Sequence, residues 1–301
     1  MKIKTLLFGA GEGSEQFIIN EQKSRTFLAF IDNNEKRHNT KFNNLQIISP
    51  KDIEKFDYDE IVITTQWVRE VKKQLLNELK IDENKIIVPK KSLLKKPQPF
   101  QDEDTRNLAR EIIKNFSKEA IKNNIPLCVD FGTLLGIVRD GDVILWDDDV
   151  DFAIDVNMID TIEQWIINTT KKIDIKFLIE KQSDKNNRTT SYQIKILNKN
   201  FNNFIISITA RENDEKGYSI HLPSLGKWYA PMKHFEHLET IVWENVEILV
   251  PSNYKEYLTF VYGDWKIPKR DITMDDYNNI NETSFKDIQD ANLTISRVSN
   301  D

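Results

Sequence analysis

Cysteine is almost missing from this chain: Cys128 stands alone, which excludes an intramolecular disulfide. It lies in the apolar run 127–129 with no histidine near it in sequence, so a small core residue is the simpler expectation than a nucleophile. Histidine is scarce too, four in 301 residues, and His221, His234 and His237 lack the tight spacing of a zinc site. No apolar run approaches ~20 residues, so no transmembrane helix is expected and any membrane association would be peripheral. The opening MKIKTLLFGAGEGSEQF has an apolar patch too short for a secretory signal, and no small-residue cleavage site follows it. A reducing, cytoplasmic setting is expected. Excess positive charge is absent as well. The net charge of −6 argues against electrostatic binding of nucleic acid by the whole chain, although Lys and Arg could form a local patch around a nucleotide.

What is present suffices for two ordinary domains: 301 residues, 39% hydrophobic and 10% aromatic, without internal repeat. Strand patterns at 3–8, 27–31, 46–48, 58–65 and 86–88 alternate with helical ones at 15–21 and 68–79. That alternation predicts an α/β fold with a parallel, doubly wound sheet over residues 1–90. The proline- and lysine-rich stretch at 89–99 marks the boundary, giving a linker at 91–101 and a second domain at 102–301.

Gly9, Gly11 and Gly13 follow the first strand and precede the first helix, the context of a nucleotide-binding turn. Backbone there can approach a phosphate at a helix N-terminus, and Asp32 closes the second strand where it could accept from a ribose hydroxyl. The spacing GxGxG departs from GxGxxG. A domain that only packs or dimerises is the alternative. This half resembles the small Rossmann-like domains that open some bacterial sugar-modifying enzymes, which implies binding of a nucleotide-sugar.

In the second half a helix is expected over 102–123, a strand at 127–131, and strands at 152–156, 173–179, 192–197 and 204–209. A helix at 158–170, a polar loop at 183–190, a strand pair at 240–242 and 246–250 and a helix to about 261 complete it; residues after about 284 are polar and expected to be peripheral. The densest signal is Trp146-Asp147-Asp148-Asp149-Val150-Asp151, just after Gly132-Thr133-Leu134-Leu135-Gly136-Ile137-Val138-Arg139. Alternation along a strand puts Asp149 and Asp151 on one face, with Asp155 further along. Carboxylates held side by side repel unless a cation sits between them. Oxygen-only ligation suits Mg²⁺ or Mn²⁺, which bind through one or two carboxylates plus substrate phosphate. A solvated acidic loop is the plainer alternative, but the Trp before the run and the apolar strand after it disfavour that.

These two blocks, with Val250-Pro251-Ser252 and Tyr262-Gly263-Asp264-Trp265-Lys266-Ile267-Pro268 downstream, resemble the LicD family of phosphotransferases, the broad group of fukutin-related protein. The resemblance spans about 125–270. It implies a C-terminal α+β, nucleotidyltransferase-like fold and transfer of a phospho-alcohol, commonly phosphocholine, from a CDP-linked donor to a glycan, with CMP leaving. Asp149 and Asp151 would hold the metal on the diphosphate. Gly132 and Thr133 would meet phosphate, Gly136 would allow close packing, and Arg139 would supply a bidentate cation. Asp147 or Asp148 would be a further ligand or the base for the acceptor hydroxyl. Asp264 is the member of the downstream block assigned to substrate, against a purely structural helix exit capped by Gly263. Where family members often carry a later-strand acid, this chain has Ser207, so a third ligand is missing or comes from Asp130 or Glu212. Trp228, Tyr229, Trp243 and Trp265 could cage a quaternary ammonium or serve the core. Rival expectations are a nucleotidyltransferase releasing pyrophosphate and a nucleotide-sugar-binding scaffold with weak or no catalysis.

Overall fold

The computed structural model describes residues 2–95, 98–269, 273, 277, 279–281, 287, 291 and 293–298. The chain forms two compact units, Met1–Lys96 with Lys269–Asn278 and Glu282–Gln289, and Pro97–Pro268 with Asn279–Asn281 and Asp290–Asp301. Residues 96 and 97 of the expected linker lie outside the described residues, as does most of the chain after 284.

The first unit runs β1 (Ile3–Phe8), α1 (Glu12–Glu21), β2 (Arg25–Ile31), β3 (Lys41–Phe42), β4 (Leu45–Ile48), β5 (Glu60–Ile63), α2 (Val68–Lys73), β6 (Ile86–Ile87) and α3 (Lys91–Leu94). Its sheet order is β3-β4-β2-β1-β5-β6. All neighbours are parallel except β3, which turns back on β4. Leu6, Phe8 and Ile63 pack on one face with Val68, Val71 and Leu75. Leu7, Phe30 and Val62 pack on the other with Phe17 of α1. Both faces are covered, which is why 3–8 is an unbroken apolar run. The order reverses between β1 and β5, so the C-terminal ends of these strands form the switch point where α/β sheets open a crevice. The first helix starts at Glu12, inside the stretch expected to be all turn, because buried Ser14 bonds back to Gly11 N and O.

The second unit contains α4 (Glu103–Lys122), β7 (Cys128–Val129), α5 (Phe131–Arg139), β8 (Asp149–Asp155), α6 (Val156–Ile159), α7 (Glu163–Thr170), β9 (Phe177–Ser183), β10 (Thr189–Ile196), β11 (Ile205–Asn213), β12 (Tyr218–His221) and β13 (Tyr229–Pro231). There follow α8 (Lys233–Glu236), β14 (Leu238–Trp243), β15 (Val246–Pro251), α9 (Tyr254–Tyr262) and β16 (Thr294–Arg297). The mixed sheet runs β14-β15-β7-β8-β11-β10-β9-β16, with β12 on β11 and β13 on β12. Along β8 the odd residues Asp149 and Asp151 face one way, while buried Val150, Phe152 and Ile154 face the core. Phe116 of α4 stacks on Phe152 at 5.8 Å and meets Trp165 edge-on at 5.6 Å, so α4 seals the face opposite the carboxylates.

Besides the strand expected at 173–179, which forms later as β9 (Phe177–Ser183), three local expectations shift. The strand at 127–131 stops at Val129 because Asp130 caps α5, accepting the Phe131 N–H at 2.8 Å. The helix at 158–170 is two helices, α6 capped by Asp155 and α7. The polar loop at 183–190 tightens into a turn over 184–188, where Asp184 accepts from Asn186 N and Arg188 N at 2.8 and 3.0 Å.

Candidate metal and phosphate site

Asp147, Asp148 and Asp149 each offer an oxygen, and the three lie within 4.8 Å of one another, half-buried. Asp151 is not part of that group. It stands two residues along β8, its N–H donated to Thr133 Oγ1 at 2.8 Å. Thr133 is buried, so the hydroxyl expected to meet phosphate instead ties α5 to the acidic strand. Gly132, in the first turn of α5, faces Asp147, and an ideal Cβ there would collide with Asp147 Oδ2. Glycine lets that carboxylate reach the N-terminal turn of α5, where the helix dipole favours negative charge. Gly136, one turn on, would drive a Cβ into the Asp142 carbonyl, so the loop before the aspartates packs directly on helix backbone.

The loop 140–148 is fastened at several points. Arg139 gives its fork to Asp140, Nε at 2.8 Å and Nη2 at 2.7 Å, and its guanidinium lies over the Trp146 ring at 5.6 Å. The bidentate cation expected for a diphosphate is thus engaged by its chain neighbour. Trp243 Nε1 donates to Gly141 O at 2.8 Å, and Asp142 pairs with Arg110.

The register settles where a third strand would contribute. Ser207 is the partner of Asp151 across β8 and β11, so a hydroxyl occupies the position next to the acidic pair. Neither substitute acid is placed to replace it. Glu212 sits on the other face of β11 from Ser207 and pairs with Arg188 at 3.1 Å. Asp130 is fully buried, receiving Arg211 Nε at 2.9 Å, Arg211 Nη2 at 2.6 Å and the Tyr257 hydroxyl. Burial, then the Asp130 charge, hold the Tyr257 phenol well above its ordinary 10.0, so it remains an O–H donor. Arg211 is sandwiched between the rings of Phe131 and Phe235, at 5.0 and 4.3 Å. This ion pair links β7, β11 and α9 under the start of α5. There Phe131 holds φ +42, a left-handed conformation costing about 1–3 kcal/mol unless fixed by its surroundings. Sequence reasoning missed Arg211 and Tyr257, because residues so far apart in the chain carry no local signal of pairing.

Asp264 is exposed, just after the Gly263 C-cap at φ +65. Trp265 is buried, its Nε1 donating to Thr259 Oγ1 at 3.1 Å, so this end of the block makes a helix exit. Trp243 and Trp265 belong to the core, whereas Trp228 and Tyr229 are half-buried. Cys128 is buried, and burial followed by the Asp130 charge pushes its thiol far up.

In the first unit Gly9 takes φ +106 at the end of β1, and a Cβ there would press Thr65 Cβ at 3.1 Å. Gly13 lies against the Thr64 carbonyl, whereas Gly11 faces open space. Asp32 accepts from Asn34 N at 2.9 Å and pairs with Arg37 at 2.7 Å. Arg37 also donates to Ala10 O at 2.8 Å, bridging the acid and the glycine turn. Sequence reading passed over Arg37; its position five residues after Asp32 was the available signal.

Comparison with known proteins agrees with this anatomy. Residues 124–253 match the family model "LicD/FKTN/FKRP, nucleotidyltransferase domain", and residues 1–87 match "C2185-like, N-terminal". No curated protein matches. Among solved structures, UDP-D-quinovosamine 4-dehydrogenase from Vibrio fischeri is 26% identical over 27% of this chain and 75% of its own, with TM-score 0.23. The Megavirus polyadenylate synthase is 13% identical over 48% of this chain and 25% of its own, with TM-score 0.27. An oxidoreductase from Thermotoga maritima is 11% identical over 92% of both chains, with TM-score 0.25. No helix among the described residues is long and apolar enough to cross a membrane. Residues 124–253 are a nucleotidyltransferase domain of the LicD/FKTN/FKRP family, which implies phosphotransferase- or nucleotidyltransferase-type activity, preceded by a C2185-like N-terminal domain.

Proposed function

We propose that the second domain, 102–301, transfers a phospho-alcohol, phosphocholine first among the candidates, from a CDP-linked donor to a sugar hydroxyl of a surface glycan, releasing CMP. The observation that carries the reading is the gathering of Asp147, Asp148 and Asp149, the first of them against Gly132 at the N-terminal turn of α5. Three oxygen donors with no nitrogen or sulfur among them fit Mg²⁺ or Mn²⁺. Asp149, with Asp151 on the same face of β8, would hold the ion, and Asp147 or Asp148 of the gathered group would be a further ligand. The bound cation supplies charge neutralisation at the diphosphate. The chain's own part is positioning, as phosphoryl transfer requires. Thr133 fixes the height of Asp151, Gly132 admits Asp147 to the helix terminus, and Arg139 with Asp140 and Trp146 holds the loop in shape. Asp148 orients the acceptor hydroxyl, and Asp264 contributes to substrate binding. The first domain, 1–90, joined through 91–101, binds a nucleotide-sugar at Gly9, Gly11, Gly13 and Asp32, and the protein works in the cytoplasm, at most peripherally on a membrane.

The test is product analysis with CDP-choline, CDP-glycerol, CDP-ribitol and nucleoside triphosphates in the presence of Mg²⁺. Metal-dependent CMP release from one CDP-alcohol is the expected outcome. Pyrophosphate release from a triphosphate would instead make the domain a nucleotidyltransferase.

A further inference from the structure

Buried polar groups almost always have partners, and one left alone costs about 1–3 kcal/mol. Arg211 Nη1, Ser219 Oγ and His221 Nδ1 are buried and have no hydrogen-bond partner among the described residues. They are not scattered. Arg211 and His221 are direct partners across β11 and β12, so their side chains share a face, and Ser219 is two residues from His221 on that face. Through β11 the same face carries Ser207, beside Asp151. The orphaned groups therefore lie on the carboxylate face of the sheet, towards the Asp155 end of β8, where Arg211 is the partner of Asp155.

The surroundings narrow what could satisfy them. Arg211 is already neutralised by Asp130, so its spare N–H calls for a neutral oxygen more than a second anion. Burial, then the Arg211 charge, push His221 down to about 3; the neutral imidazole is too weak a base for catalysis at neutral pH, but can donate or accept. Ser219 can do both. Among the described residues the ring contacts to Phe131 here are edge-on. His221 and Trp228 stand edge-on to Phe131, at 88° and 70°, and the Arg211 guanidinium lies over that same ring. A group bearing several hydroxyls on an aliphatic frame matches a mixed set of one donor and two donor-acceptors beside ring edges.

We infer that Arg211, Ser219 and His221 form a subsite for a neutral polyhydroxylated ligand, a sugar or alditol, on the face of the sheet that carries Asp149 and Asp151. Only its assignment to the acceptor rests on the transferase reading; the binding chemistry does not. The subsite has a signature that a structural role would lack. Ser219→Ala removes an unsatisfied buried hydroxyl, so the free protein should be as stable as wild type or more so, while polyol affinity falls about tenfold.

The experiment is imidazole ¹⁵N NMR on the full chain, titrated with ribitol, methyl β-galactoside and CMP, with His221→Phe assigning the resonance. Saturable movement of His221 by a polyol, weakened in Ser219→Ala, is the expected result. Movement by CMP alone would overturn the inference in favour of a nucleobase pocket. No movement by any probe would overturn it too, leaving water as the occupant. Mg²⁺-dependent CDP-choline binding, measured on the same sample, separates the two claims. Donor binding without a polyol shift removes only this inference; a polyol shift without donor binding keeps it and removes the transferase reading.

Discussion

Gly132 and Asp147 are fifteen positions apart in sequence, yet the backbone of one leaves the space that the carboxylate of the other fills. The acidic run is therefore more than a solvated loop. Its first member is drawn to a helix terminus, its third opens β8, and the strand they introduce is fastened to the same helix by Thr133.

Gly132→Ala should displace the Asp147 side chain with little loss of stability, since the colliding atom is the end of a flexible side chain. Mn²⁺ affinity, read by paramagnetic resonance, should fall about tenfold or more while the melting temperature barely moves. Unchanged affinity would detach Asp147 from the metal set.

Thr133→Val keeps shape and removes the acceptor for the Asp151 N–H. A buried donor left unpaired costs about 1–3 kcal/mol, so the denaturation midpoint should drop, and Thr133→Ser should restore most of it. Equal stability of the Val and Ser variants would contradict the tie described here.

Asp130→Asn leaves the Arg211 charge buried without its counter-ion. Breaking a buried pair from one side costs about 3–5 kcal/mol, so this variant should be severely destabilised, and Tyr257→Phe much less. Chemical denaturation of both variants checks the order.

His221 makes stability depend on pH. Its folded value of about 3 lies below the ordinary 6.5, so the unfolded chain binds the proton more tightly. The contribution is fully present above 6.5 and is lost as pH falls towards about 3. Unfolding free energy should decline over that window, and the decline should be shallower in His221→Phe.

Much of this was legible in the chain. The parallel first sheet followed from apolar runs alternating with helices, and the face shared by Asp149 and Asp151 from strand periodicity. The absence of a later-strand acid was readable as Ser207, and the register places that residue beside Asp151. The short strands β3, β12 and β13 were not, because two to four residues carry no period. Nor were the roles of Thr133 and Arg139, whose partners are set by how α5 folds back on the loop. The Asp130–Arg211–Tyr257 cluster was hidden for the same reason: burying a charge is decided by tertiary pairing, which a linear pattern does not record.

The central claim is that the aspartates of 147–151 hold a divalent cation on a diphosphate donor. Titration calorimetry with CDP-choline, CDP-glycerol, CDP-ribitol and UDP-sugars, with and without Mg²⁺, in wild type and in Asp149→Ala/Asp151→Ala, tests it most directly. Mg²⁺-dependent binding of one CDP-alcohol that disappears in the double variant is the predicted result. Binding of a UDP-sugar alone, indifferent to metal and to both substitutions, would contradict it and move the ligand to the first domain.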